Sequence, residues 1–202
     1  MKIGIMGGSF NPIHMGHLMM CEYMRSELGL HKVLFIPTGN APHKRNYSVA
    51  AEDRLTMVEI AVVDHPYFEV SPLEVMENKT TYSVDTLRKL KEEYPEGEFY
   101  FFLGSDILQD LKTWKLFGEL AKLTHFAVAV RPGSELKTGD SIRKEIHLLR
   151  EKYGASIVLI DTPLLEISST GLRNRIRQGK SVKYFVPDHV MTYIQKKGFY
   201  RY

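Results

Sequence analysis

GIMGGSFNPIHMGHL, residues 4 to 18, passes from an apolar run through Gly7 and Gly8 to His14 and His17, which stand three positions apart. If residues 2 to 6 form a first strand and a helix begins near Met15, GGSFNPIH is a strand-to-helix loop. Such loops lie at the carboxyl edge of a sheet, where open α/β sheets bind their ligands. Gly7 and Gly8 let the backbone approach a ligand closely, and the free N–H groups that open a helix favour an anion. His14 and His17 then share one face of the first helical turn. Two imidazoles, a glycine-lined loop and a helix dipole together suit phosphate.

Outward from this stretch, runs rich in β-branched and aromatic residues stand at KIGIM (2 to 6), KVLFIP (32 to 37), YFEVS (67 to 71), EFYFFLG (98 to 104), HFAVAV (125 to 130) and SIVLID (156 to 161). Most are apolar throughout instead of alternating, which predicts strands covered on both faces, as in a parallel sheet. Helical segments are expected between them at Leu18 to Leu28, Ala50 to Val63, Ser83 to Tyr94, Ile107 to Leu120 and Ser141 to Tyr153. In the second, Ala51, Leu55, Val58 and Val62 line up as a buried stripe with Glu52 and Glu59 off it. In the third, Val84, Leu87 and Tyr94 form a similar stripe that Lys91 interrupts.

This alternation predicts the α/β class: a doubly wound, Rossmann-like parallel sheet of about six strands with right-handed crossovers. After the sixth strand, SSTGLRNRIRQ and PDHVMTYIQKKG predict two short helices, opened by Ser168 or Ser169 and by Pro187. Residues 166–202 are therefore expected to be the C-terminal helical portion of a single domain spanning 1–202. No internal repeat, low-complexity tract or Gly/Ser linker marks a boundary.

A chain of 202 residues can bury a sizeable core without disulfides, and its single cysteine, Cys21, has no partner within the chain. With no signal-peptide pattern and no membrane-length apolar run, the expected location is the cytoplasm. The net charge of +3 is too small to suggest a nucleic-acid coat protein. Residues 167–202 nevertheless carry eight Lys or Arg against one acidic residue, Asp188, so this end is locally basic. A phosphate-rich small ligand, RNA or plain solvent all suit such a segment.

Known phosphate loops do not fit. The G-x-G-x-x-G pattern fails because the next glycine after Gly8 is Gly16, and GKS at 179 to 181 lacks a Walker glycine, position 174 being Asn174. His14, His17 and Cys21 have a spacing open to a metal, but no second cluster completes it.

Taken whole, GGSFNPIHMGHL resembles the HxGH signature of the nucleotidyltransferase superfamily, and ISSTGLR at 167 to 173 resembles that superfamily's second signature, ISSTxxR. PTGNAPHK (37 to 44), TYSVDTL (81 to 87), GSDILQDLKTW (104 to 114) and RPG (131 to 133) resemble the bacterial nicotinate mononucleotide adenylyltransferases, so the similarity spans essentially the whole chain. Ala41 replaces the first proline of PPHK and Ser105 the alanine of GAD, exchanges between small residues.

The resemblance implies attack of the nicotinate mononucleotide phosphate on the α-phosphorus of ATP, with Mg²⁺ bound mainly through ATP. It implies His14, His17, Lys44 and Arg173 as catalytic residues, with His17 on the α-phosphate. The implied ATP-binding set is Gly7, Gly8, Ser9, Phe10, His14, His17, Gly104, Asp106, Ile167, Ser168, Ser169, Thr170 and Arg173. Asp106 would accept from ribose hydroxyls; its alternative is a helix N-cap. The implied mononucleotide-binding set is Asn40, Lys44, Ser83, Trp114 and Arg131, with Trp114 stacked on the pyridine ring. No resident metal site, nucleic acid or membrane partner is expected, and a homo-oligomer is left open. Alternatives are another nucleotidyltransferase taking the amide mononucleotide or phosphopantetheine, a nucleotide-binding regulator without turnover, and an RNA-binding module using the basic end.

Overall fold

The computed structural model describes residues 1–39, 49–77, 80–130, 140–163 and 166–201, with Asp140 and Ser141 described by their backbone alone. The chain runs β1 (Lys2–Gly8), α1 (Met15–Leu28), β2 (Lys32–Pro37), α2 (Ala51–Val62), β3 (Phe68–Val70), α3 (Ser83–Glu93), β4 (Glu98–Gly104), α4 (Phe117–Leu123), β5 (His125–Val130), α5 (Asp140–Tyr153), β6 (Ser156–Asp161), α6 (Ser169–Arg177) and α7 (Asp188–Lys197). The strands form one six-stranded sheet in the order β3-β2-β1-β4-β5-β6, the doubly wound order expected of the α/β class. β1 pairs with β4, β4 with β5 and β5 with β6, all parallel.

Position in the sheet explains where the strands depart from expectation. β2, β4 and β5 are buried almost throughout, as strands with a neighbour on each side and helices over each face must be. The outer strands differ: β3 is three residues long, and β6 exposes Val158 and Asp161 while burying Ile157 and Ile160. Short, partly polar edges resist pairing with other chains. No helix among the described residues is long and apolar enough to cross a membrane.

Two compact units make up the chain. The first comprises Met1–Met6, Met20–Val33 and Tyr82–Leu164. Its core includes Phe99, Phe126, Leu87, Leu90 and Leu120, and the Thr124 hydroxyl is satisfied by the Phe99 carbonyl. On its surface α3 and α4 are joined by the forked pairing of Arg88 with Glu119. The helix expected over Ile107 to Leu120 is not continuous. It is replaced by two single turns of 3₁₀ helix, Ser105–Ile107 and Leu111–Thr113, followed by α4. Both the N–H and the hydroxyl of Thr113 bond to the Asp110 carbonyl, a local alternative to the α ladder. Leu116 adopts the left-handed region at φ 52°, which stops any helix reaching α4 from before it. Trp114 consequently sits in an extended link rather than on a helix.

The second unit comprises Gly7–Met19, Leu34–Thr81 and Leu165–Tyr202. Phe10, Phe35, Met57, Val58, Val190 and Ile194 are its buried apolar residues of note. The α2 stripe differs from the expected one: Arg54, Met57, Val58 and Val62 are buried, whereas Leu55 is only half-buried. α7 lies on α2 through Tyr193, whose hydroxyl donates to Asp53 at 2.7 Å, and Lys197, 2.9 Å from the same carboxylate. Pro187 stands at the N-cap of α7, the opening position expected of it.

Candidate active site

β1 continues through Gly7 and Gly8, so the loop is shorter than expected and begins at Ser9. The Gly8 carbonyl accepts the Thr38 N–H at 2.9 Å, which carries strand-like bonding to the end of β1. Beyond it Phe10 is 1% exposed and takes a left-handed conformation at φ 43°, unusual for a bulky residue and held by its surroundings. Its ring meets His17 edge-on at 5.2 Å and Phe35 at 6.0 Å. From α2, Arg54 donates to the Ser9 carbonyl at 2.7 Å and to the Thr38 and Gly39 carbonyls at 2.5 and 3.3 Å. A guanidinium's fork suits this work, since one buried side chain ties together the chain segments following β1 and β2.

His14 and His17 are brought face to face, with ring centroids 3.6 Å apart and planes 20° from parallel. The His14 backbone N–H donates to Nδ1 of His17 at 3.3 Å, so neutral His17 carries its proton on Nε2. Burial lowers the His14 pKa to about 4, and burial followed by repulsion from His14 lowers that of His17 well below its ordinary value. Both rings are neutral near pH 7. Nδ1 of His14 is buried and has no hydrogen-bond partner among the described residues. A Cβ on Gly16 would lie 3.1 Å from that nitrogen and 3.6 Å from Cβ of Ile167, so glycine here lets the residues of the second signature close on the first.

That closure continues residue by residue. Ser168 caps α6, its Oγ accepting the Gly171 N–H at 3.1 Å. The Ser169 hydroxyl donates to the Pro12 carbonyl at 2.9 Å, and Nη1 of Arg173 donates to the Asn11 carbonyl at 2.8 Å, across 157 and 162 positions of sequence. Nη2 of Arg173 bonds to Oγ1 of Thr170 at 3.1 Å. The first N–H of α1, on Met15, is taken by the Phe185 carbonyl. Gly7, Gly8, Ser9, Phe10, His14, His17, Ile167, Ser168, Ser169, Thr170 and Arg173 thus all belong to the second unit, where two helix N-termini, a hydroxyl pair and an arginine meet the histidine loop.

Gly104, Asp106, Ser83 and Trp114 belong to the first unit. Gly104 ends β4, and the exposed Asp106 carboxylate folds back to 2.5 Å from where a Cβ on Gly104 would stand. Ser83 opens α3, and Trp114, half-buried, contacts Phe101 edge-on at 5.8 Å. Asn40, Lys44 and Arg131 lie outside the described residues. Three residues that support the site went unread in the sequence: Arg54, Asn11 and Tyr200. A cationic residue on the apolar face of α2 was a visible signal for the first; nothing local marks the other two.

The described residues hold no group of three or more His, Cys, Asp or Glu able to bind a metal ion. Cys21 is fully buried with its thiol pKa raised by desolvation, which works against a thiolate ligand beside the histidines.

Residues 5–175 match the family described as cytidylyltransferase-like. A protein of Desulfitobacterium hafniense strain Y51 named "Probable nicotinate-nucleotide adenylyltransferase" is 43% identical over 202 residues, covering 99% of this chain and 96% of that one. One of the same name from Thermoanaerobacter sp. strain X514 is 41% identical, covering 100% of this chain and 95% of its own length. Among solved structures, Plasmodium falciparum nicotinic acid mononucleotide adenylyltransferase complexed with NaAD superposes with a TM-score of 0.79 at 25% identity, covering 98% of this chain and 97% of that one. The two joined signatures, the sheet order and these similarities agree, and the chain belongs to the nicotinate-nucleotide adenylyltransferase family of cytidylyltransferase-like proteins.

Proposed function

We propose that the chain transfers the adenylyl group of ATP to nicotinate mononucleotide, forming deamido-NAD and pyrophosphate in NAD biosynthesis, within the cytoplasm. The observation that carries this most directly is the seating of residues 167–173 on the His14–His17 loop through Ser169 and Arg173.

The acceptor phosphate is already an anion. One of its oxygens forms a bond to the α-phosphorus of ATP as the α-phosphorus bond to the bridging oxygen breaks, and pyrophosphate leaves with that electron pair. No proton must move for this exchange, so catalysis rests on alignment and on neutralising charge at the phosphoryl oxygens. Nε2–H of His17 donates to an α-phosphoryl oxygen, and His14 serves the neighbouring phosphates. A guanidinium has five N–H donors, and Arg173, with two spent on Asn11 and Thr170, keeps the rest for the β- and γ-phosphates. The hydroxyls of Ser169 and Thr170, with Gly7, Gly8, Ser9, Phe10, Ile167 and Ser168, line the same phosphates. In the first unit, Gly104 and Asp106 serve the ATP ribose, and Ser83 and Trp114 serve the mononucleotide. Asn40, Lys44 and Arg131 complete the mononucleotide set. Magnesium enters with the substrate as MgATP, held chiefly by phosphate oxygens and water.

A pyrophosphate-release assay with ATP and, in turn, nicotinate mononucleotide, its amide and phosphopantetheine tests the assignment. Turnover is expected with the acid mononucleotide in preference to the other two. Preference for either other acceptor, or nucleotide binding without pyrophosphate release, overturns it.

A further inference from the structure

Asn11 is held from both ends. Its backbone carbonyl accepts Nη1 of Arg173 at 2.8 Å, while its side-chain Oδ1 accepts the Tyr200 hydroxyl at 2.6 Å. Asn11 is 5% exposed and Tyr200 6% exposed, so the second bond lies away from water, where losing it leaves a buried acceptor unpaired. Tyr200 follows α7 and takes a left-handed conformation at φ 64°, beyond Gly198, also left-handed at φ 69°. These two turns carry the chain off the helix end. The Phe199 ring lies 6.1 Å from that of Tyr200, tilted by 54°, and meets Tyr193 of α7 edge-on. Burial pushes the Tyr200 hydroxyl pKa up, against the pull of Arg173 and Arg54, so the group remains a proton donor.

We infer that Tyr200 is a positioning residue for ATP, acting through Asn11 on Arg173. The hydroxyl fixes the Asn11 side chain, which fixes the backbone carbonyl that holds the guanidinium. The carbonyl and Thr170 set the plane of the fork before any nucleotide arrives. A guanidinium already ordered loses less freedom on binding phosphate than one free to rotate, which appears as ATP affinity. Every residue of this chain, Tyr200, Asn11, Thr170 and Arg173, is joined to the guanidinium proposed for the ATP phosphates, so the effect is expected on ATP.

The test, which rests on Arg173 holding the ATP phosphates as proposed above, is a double-mutant cycle read by calorimetric ATP binding in the full-length protein. Tyr200→Phe keeps the ring and removes the donor; Asn11→Ala removes the acceptor while keeping the carbonyl that Arg173 uses. Each is expected to weaken ATP binding about 3- to 10-fold, the range for one buried hydrogen bond, with the mononucleotide KM unchanged. In an Arg173→Ala background, Tyr200→Phe is expected to add nothing, because its route to the ligand is gone. Unchanged ATP affinity in both single variants, or an effect that persists in full without Arg173, overturns the positioning role and leaves the adenylyltransferase assignment intact. If Arg173→Ala itself leaves ATP affinity unmoved, the phosphate assignment of Arg173 falls and the positioning role with it.

Discussion

His14 and His17 stack 3.6 Å apart, and the backbone N–H of the first donates to Nδ1 of the second. Burial disfavours the charge on each ring, and repulsion from His14 adds to it at His17, so the pair is neutral in the folded chain near pH 7. The folded pKa of His14 is about 4 against an ordinary 6.5, so as pH falls the unfolded chain takes up protons first. Stability is therefore fully present above about pH 6.5 and is lost as pH falls toward 4, by about 3 kcal/mol for His14 alone. Urea unfolding followed across this window is expected to show that loss, and His14→Phe is expected to flatten it. An equal slope in the variant contradicts the assignment.

In the proposed reaction, neutral His17 has one donor, Nε2–H, to offer the charge that builds on the α-phosphoryl oxygens. Removing a donor of this type costs turnover more than ground-state binding. His17→Ala is expected to lower kcat about 100- to 1,000-fold while ATP affinity stays within about 3-fold. Near-normal turnover in this variant removes His17 from the chemistry.

Arg54 satisfies three carbonyls from one buried position. Arg54→Met keeps length and apolar bulk but removes all three bonds, with an expected loss of about 2 to 4 kcal/mol in unfolding free energy. Arg54→Lys keeps the charge without the fork and recovers part of it. A methionine variant within about 0.5 kcal/mol of the parent contradicts the tying role.

Trp114 lies in an extended link, half-buried, and meets Phe101 edge-on. The role proposed for this ring is stacking on the pyridine of the mononucleotide. Trp114→Ala is expected to raise the mononucleotide KM about 10-fold or more and the ATP KM less than about 2-fold, in line with the worth of stacking. Equal effects on both substrates count against it.

Periodicity carried the strand and helix alternation because apolar burial is repetitive along β2, β4 and β5, where each residue meets a neighbour above or below the sheet. It failed over Ile107 to Leu120, where hydrophobic spacing suits several helical forms and the Thr113 bonds to Asp110 and the left-handed Leu116 decide among them. Similar limits hold for the site. His14, His17 and Arg173 are legible by residue type within the two signatures, whereas Arg54 is a lone cation among the buried positions of α2, marked only by its place beside Met57, Val58 and Val62. The Asn11–Tyr200 bond joins positions 189 apart and leaves no trace in local pattern. Long-range polar pairs of this kind are set by tertiary packing, after the elements that sequence patterns describe are already formed.

The most direct measurement is a crystal structure of the full-length chain with the non-hydrolysable analogue α,β-methylene-ATP and Mg²⁺. An α-phosphoryl oxygen is expected at about 3 Å from Nε2 of His17, with a β- or γ-oxygen on the Arg173 guanidinium. A triphosphate seated at the Gly179–Ser181 loop, or one that touches His17 but leaves Arg173 out of reach, contradicts the convergence of the two signatures on one nucleotide.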